Sequence, residues 1–256
     1  MNPTRVAALY DIHGNLDALD AVLADVRDAQ ADLIVVGGDI YPGPLASEAL
    51  ARLLDSEIPM RFILGNGDRA VLDQREGRPS DAMPERVRAT IAWLAARLED
   101  AERRAIASWP GTLRLEVPSL GRVLFVHATP WSDTEIFTRS TPLPRLRHLF
   151  RDVDADIVIC GHTHMQFDRF VDDTRIVNAG SVGMAFGEAS ACWLLLEPAR
   201  VTLRRTNYDL VAAAARIRRT PYPDAEDFAA RFVLDRPSEA TMLDLYAKFD
   251  EPELGR

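Results

Sequence analysis

The chain opens with an unbroken apolar run, Val6-Ala7-Ala8-Leu9-Tyr10. It is too short for a helix and has no polar face, which predicts a strand buried on both sides. Behind it, Leu16, Leu19, Val22, Leu23 and Val26 recur at helical spacing. Leu33-Ile34-Val35-Val36 reads as a second buried strand, Ser47 to Asp55 as a helix, and Met60 to Leu64 as a third strand. This βαβαβ alternation predicts a parallel core with helices outside it. From Arg69 to Pro110 the pattern turns helical, with Val87, Ile91, Leu94 and Leu98 on one face and a short helix over Glu102 to Ser108. Leu113 to Val117 and Val123 to Val126, split by a turn containing Gly121, read as a hairpin.

A polar loop from Thr129 to Pro144 leads to a helix bearing Leu146, Leu149, Phe150 and Val153, then to the strand Ile157-Val158-Ile159-Cys160. Gln166 to Val171, Arg175 to Asn178, Ser190 to Glu197 and Arg200 to Thr206 read as an antiparallel sheet. The remainder, 207–256, reads as helices broken at Pro221-Tyr222-Pro223 and Pro237. No repeat, low-complexity tract or linker marks a second independent domain.

The chain has 256 residues, 47% of them hydrophobic, enough for one large core. Its net charge of −9 repels phosphate backbones and makes a nucleic-acid partner an unlikely reading of the surface. No segment reaches the ~20 apolar residues of a membrane span. The N-terminal segment lacks a signal peptide's apolar region, and Cys160 and Cys192 lie in apolar runs, as reduced core thiols would. The expected location is the cytoplasm.

The chemistry gathers at strand ends. Asp11 and His13 follow the first strand, Asp39 the second and Asn66 the third; His127 follows the hairpin, and His162 and His164 follow the strand ending at Cys160. All but one of the five histidines belong to this series. Ligands collect outside the carboxyl ends of parallel strands, so strands running the same way would bring these side chains to one rim. Carboxylate oxygen with imidazole nitrogen suits Mn, Fe, Zn, Co or Ni, and suits Ca or Mg poorly. The absence of thiolates argues against a structural zinc cage.

With Gly38-Asp39, Gly65-Asn66-Gly67-Asp68 and Gly161-His162-Thr163-His164 included, the series resembles the calcineurin-like metallophosphoesterase superfamily over residues 6–183. Asp11-Ile12-His13-Gly14-Asn15-Leu16 and Asn178-Ala179-Gly180-Ser181-Val182-Gly183 are similar to its small bacterial and archaeal branch related to diadenosine tetraphosphatases. The resemblance implies an α/β fold, a four-layer α/β/β/α sandwich, with a metallophosphoesterase domain over 1–206 and helices 207–256 packed on it. The second sheet would come from the antiparallel strands after Gln166. It also implies two divalent transition-metal ions, manganese first among Fe, Zn, Ni and Co. Asp11, His13 and His164 would hold one ion, Asn66, His127 and His162 the other, and Asp39 would bridge them. Asp39, Asn66 and His127 would thus stand closest to the chemistry, hydrolysis of a phosphodiester by a metal-bridging hydroxide. Four metal charges against two carboxylates would leave a positive rim that attracts a small phosphoester or nucleotide. Alternatives are a dinucleoside polyphosphate hydrolase and a non-catalytic metal-binding scaffold.

One departure stands out. The superfamily commonly has His after the Asn of its third motif, protonating or stabilising the leaving group; here the residue is Gly67. A general acid typically contributes ~10²–10⁴-fold, so low-pKa leaving groups are expected to suffer least. Several positions carry two readings. Asp68 is a helix cap or a partner of a ligand. Arg69 is a solvated surface group or a donor to substrate phosphate. The 180–183 turn is structural or a nest for an anion. Trp131 packs under its loop or stacks on an aromatic substrate group. His148 is read as a surface residue, and the stripe Met242, Leu243, Leu245, Tyr246 and Phe249 as intramolecular packing or a dimer contact.

Overall fold

The computed structural model describes residues 3–80 and 82–250. The N-terminal Met1-Asn2 and the last six positions assigned to the helical tail lie outside the described residues. The first half is built from β1 (Val6–Leu9), α1 (Leu16–Asp28), β2 (Leu33–Val36), α2 (Ala46–Leu54), β3 (Met60–Phe62), α3 (Asn66–Arg75), α4 (Glu85–Ala95) and α5 (Asp100–Ala107). β4 (Thr112–Val117) and β5 (Gly121–Val126) form the hairpin. α6 (Leu143–Leu149), β6 (Ile157–Cys160), β7 (Phe167–Val171), β8 (Thr174–Asn178), β9 (Ala191–Glu197) and β10 (Arg200–Thr206) follow. α7 (Leu210–Arg218), α8 (Ala225–Phe228), a π-helical segment Ala229–Leu234, α9 (Glu239–Tyr246) and a 3₁₀ turn Ala247–Phe249 are the last of the described elements.

Two sheets stack face to face. The first has the order β10-β9-β1-β2-β3 and the second β4-β5-β6-β8-β7. β1, β2 and β3 run parallel, as do β5, β6 and β8. Side-chain alternation divides each strand between two cores. Val6, Ala8 and Tyr10 of the first strand and its extension join Phe125, Ile159 and Val177 between the sheets. Ala7 and Leu9 join Leu19, Val22 and Ile217 in the helical layer. On the far side, Leu124, Val126 and Val158 pack under Leu146 and Phe150. The layers are therefore helix, sheet, sheet and helix.

The sheet partition differs from the expectation. β9 and β10 join the first sheet, beside β1, and only β7 and β8 join the second. The cause is visible in β9: Cys192 to Leu196 is an apolar run that needs cover on both faces. Beside β1, Leu194 and Leu196 meet the second sheet, while Trp193 and Leu195 meet the helices. The consequence for the site is that its candidate side chains come from both sheets. The helix expected to carry Phe150 and Val153 ends at Leu149, yet both residues still pack on the second sheet.

The C-terminal helices share the main core. Ala213, Ile217, Phe228 and Val233 belong to the same apolar cluster as Leu19 and Leu50. Met242 packs on Met165 and Phe186 with Leu243 and Tyr246 against it, whereas Leu245 and Phe249 remain exposed. Ile217→Ala is expected to cost about 2–5 kcal/mol and to lower the melting temperature of one cooperative transition. Two separate transitions in calorimetry would mark the helices as an independent unit.

Candidate metal centre

The carboxyl ends of both sheets meet at one rim, and backbone hydrogen bonds stitch them there. Asp11 N–H donates to Gly38 O at 3.1 Å, His13 N–H to Asp39 O at 2.9 Å, and Gly161 N–H to His127 O at 2.9 Å. Across the sheets, the Tyr10 hydroxyl donates to Ile159 O at 3.0 Å, and His162 N–H donates to Asp11 Oδ2 at 2.8 Å. A Cβ at Gly161 would lie 2.4 Å from Asp11 Oδ2, so only glycine lets the two strand ends close to this distance. Asp11, His13, Asp39, His162 and His164 all have positive φ, between 46° and 64°. Such backbone costs about 1 kcal/mol or more per residue, and it aims each side chain inward.

All seven residues predicted from the sequence converge here. Each histidine has one ring nitrogen on a backbone carbonyl: His13 Nδ1 on Pro42 O at 3.0 Å, His127 Nδ1 on Gly37 O at 2.9 Å, His164 Nδ1 on Met184 O at 3.0 Å, and His162 Nε2 on Thr134 O at 3.3 Å. A carbonyl only accepts, so the anchored nitrogen carries the proton and the other presents its lone pair to the centre. His13 Nε2 and His164 Nε2 then face each other at 3.2 Å, and His164 Nε2 lies 3.2 Å from Asp11 Oδ1. On the other side, the Asn66 amide sits 2.9 Å from His127 Nε2 and, with its amino group turned inward, 3.0 Å from His162 Nδ1. Asp39 lies between: Oδ2 is 3.8 Å from His13 Nε2 and Oδ1 is 3.6 Å from His127 Nε2.

On the Asp11 side these atoms fit a cation; on the other side the Asn66 amino group donates to His127 Nε2 and His162 Nδ1, and turning its Oδ1 inward would make Asn66 the third acceptor there. Asp11 is fully buried and its Oδ1 has no hydrogen-bond donor. Burial, reinforced by neighbouring imidazoles, pushes His13 down to about 3 and His162 down to about 4, so both rings are neutral at pH 7. Burial and the Asp11 charge act against the His127 ring in holding Asp39 up at about 6. Converging lone pairs beside buried carboxylates are an arrangement that divalent ions relieve. Asp11, His13 and His164 form one compact candidate group, and Asp11, Asp39 and His127 another.

The surrounding residues resolve several double readings. Asp68 is fully buried and accepts from Asp39 N at 2.7 Å, Tyr41 N at 2.9 Å and the helix-capping Gly65 N at 3.3 Å. It therefore caps α3 and holds the Asp39 loop at once. Arg69 places Nε and Nη2 on Asp133 at 2.6 and 3.0 Å, so a substrate phosphate would compete with that pair. In the 180–183 turn, Gly180, Val182 and Gly183 N–H groups donate to Asn178 Oδ1, Tyr10 O and Asp11 O. With those donors spent, the turn is structural. Trp131 is 63% exposed, outside any packing under its loop. His148 is exposed beside Arg151. Sequence reasoning missed Asn178 as a support: its amide donates to Gly161 O at 2.7 Å and Thr163 Oγ1 at 3.1 Å, fixing the His-Thr-His turn. Its place opening the Asn178-Ala179-Gly180 segment was the available signal.

Gly67 is a packing requirement. A Cβ there would lie 2.4 Å from Tyr41 O and 2.6 Å from Pro42 Cδ, while the Gly67 N–H donates to Asp39 Oδ1 at 2.7 Å.

The comparisons agree with this geometry. Residues 5–200 match the calcineurin-like phosphoesterase superfamily domain, and the chain belongs to that family. It is a metal-dependent phosphoesterase, and the family implies divalent metal ions at the rim just described. The chain is 26% identical over 250 residues to the uncharacterized protein MJ0912 of Methanocaldococcus jannaschii, covering 88% of this chain and 96% of that one. It is 25% identical to a metallophosphoesterase from Sphaerobacter thermophilus, with TM-score 0.72 and coverage of 92% and 100%. Hypothetical protein PH1004 from Pyrococcus horikoshii shares the fold at 20% identity, TM-score 0.73 and coverage of 91% and 99%. The relation to diadenosine tetraphosphatases finds no support in these matches.

Manganese at 100 times its dissociation constant should stabilise the protein by about 2.7 kcal/mol, a rise of several degrees in melting temperature over protein held in chelator. His164→Ala should remove that rise. Asp39, held up at about 6, would have to be ionised to bind, and His127, where burial is outweighed by the Asp39 and Asp11 charges so that the ring is raised above its ordinary value, would have to be neutral; apparent manganese affinity should therefore fall by about tenfold or more per pH unit below about pH 6 and go on rising above it, read by calorimetry. Gly67→His should not supply an acid; overpacking against Tyr41 and Pro42 should cost about 1–3 kcal/mol in denaturant unfolding and lower activity.

Proposed function

We propose that the protein hydrolyses a small phosphodiester with two divalent transition-metal ions, manganese foremost. One observation carries this reading: four imidazoles, each anchored to a carbonyl by one nitrogen, aim the other at a space that Asp39 faces with both oxygens. Asp11, His13 and His164 would hold one ion, Asn66, His127 and His162 the other, with Asp39 between them. Bound there, such ions supply Lewis acidity at the phosphoryl oxygens and a water of lowered pKa. The chain's own part is to hold those ligands neutral or anionic as needed, to orient them through carbonyl and Asp68 contacts, and to exclude bulk water from the buried side of the rim.

The closed space at Gly67 supports substrates whose leaving group departs without a protein acid. That favours activated diesters over alkyl monoesters. A dinucleoside polyphosphate would also offer a low-pKa leaving group. A complete ligand set, with each ring oriented, weighs against a retired scaffold. The two free, buried thiols support a reducing compartment such as the cytoplasm, and no described helix is long and apolar enough to cross a membrane.

Manganese-loaded protein should cleave bis-p-nitrophenyl phosphate faster than p-nitrophenyl phosphate. Asn66→Ala and His162→Ala should each lower kcat/KM by at least about 10²-fold while still melting in one cooperative transition close to that of the native protein held in chelator. Unchanged rates in folded variants would reject the site assignment.

A further inference from the structure

The loop that follows His127 touches the rim at several points. β5 ends at Val126, His127 comes next, and the chain then turns through 129–134. Its own hydrogen bonds stiffen that turn. Thr129 N–H donates to Ser132 O at 2.9 Å, Ser132 N–H to Thr129 Oγ1 at 3.1 Å, and Thr134 N–H to Ser132 Oγ at 3.2 Å. Asp133 O lies 3.2 Å from the Asn66 amide, and the next carbonyl, Thr134 O, accepts from His162 Nε2 at 3.3 Å. One segment therefore meets His127, Asn66 and His162, the residues assigned to a single ion. The histidines assigned to the other ion lean elsewhere, His13 on Pro42 O and His164 on Met184 O.

The Asp133 side chain ties this turn to α3. Arg69 Nε donates to Asp133 Oδ2 at 2.6 Å, and Nη2 donates to Oδ1 at 3.0 Å. Arg69 stands three residues after Asn66 in α3, so the two are neighbours on one helix face. A two-pronged guanidinium–carboxylate pair fixes an orientation as well as a distance. The Arg69 and Asp133 side chains are 41% and 27% exposed, and a pair so open to solvent adds little to global stability. Its geometric effect is larger. It sets the separation between the helix that carries Asn66 and the turn that holds His162. The His162 anchor is the longest of the four histidine anchors, so it has the least reserve if the turn drifts.

We propose that the Arg69–Asp133 pair is a positioning device for one ion only, the one assigned to Asn66, His127 and His162. It acts through the loop, and Arg69 is not a donor to substrate phosphate. The inference rests on the reading of the rim as a two-ion centre.

The test is calorimetric titration of manganese into metal-free full-length protein. The unaltered protein should bind two ions. Arg69→Met and Asp133→Asn should each leave one affinity unchanged and weaken the other by about 10–100-fold, the usual effect of losing a group that orients a ligand. Asp73→Asn removes the longer Arg69 contact, at 3.6 Å, and should leave both affinities within about threefold. At manganese just sufficient to fill the unaltered protein, kcat for bis-p-nitrophenyl phosphate should fall in Arg69→Met and Asp133→Asn, with KM within about threefold. Two ions bound as tightly in both variants as in the unaltered protein would overturn the inference, whether or not the melting temperature drops. So would equal weakening of both ions. A substrate-donor role predicts a different pattern that also overturns it: KM raised by Arg69→Met, lowered by Asp133→Asn as the guanidinium is freed, and both ions retained. An unaltered protein that binds fewer than two ions contradicts the two-ion reading and the inference with it, so the two failures are told apart.

Discussion

Two imidazole nitrogens with outward lone pairs, His13 Nε2 and His164 Nε2, stand 3.2 Å apart beside an undonated oxygen of Asp11. Acceptors repel one another at that distance unless a cation draws them together. The rest of the rim serves that constraint. Carbonyls of Pro42 and Met184 hold the rings in the tautomer that creates the confrontation. Strained backbone at Asp11, His13, Asp39, His162 and His164 turns the side chains inward. The strain and the crowded acceptors are costs that the packed sheets sustain and that bound metal offsets.

The two-sheet architecture explains how one chain satisfies this geometry. Asp11, His13, Asp39 and Asn66 follow strands of the first sheet, while His127, His162 and His164 follow strands of the second. Neither sheet holds a complete set. The apolar layer between them, Tyr10 and Ala8 on one side and Phe125, Ile159 and Val177 on the other, therefore sets the distances at the centre. The Tyr10 hydroxyl bond to Ile159 O fastens that layer directly beneath the rim.

Much of this was legible in the sequence. The seven side chains and the strands they follow could be read directly, because apolar runs and histidine spacing are local properties. Sheet membership could not, since β9 pairs with β1 across more than half the chain, and local pattern does not encode partner choice. The dual role of Asp68 was half visible: capping follows from its position, but the bonds to Asp39 and Tyr41 depend on a loop brought in by tertiary packing. The meaning of Gly67 was likewise inaccessible, because the absence of a side chain is apparent but the carbonyl of Tyr41 that forbids one is not. The pocket beside the rim is lined by Val87, Phe228 and Phe232 together, residues whose meeting no periodicity reveals.

The most direct measurement is anomalous scattering from crystals of the full chain soaked in manganese. The expected map has two peaks separated by about 3.5–4 Å, one among Asp11, His13 and His164, the other among Asn66, His127 and His162, with Asp39 touching both. A single peak remote from Asp39, or no peak between His13 and His164, would contradict the account.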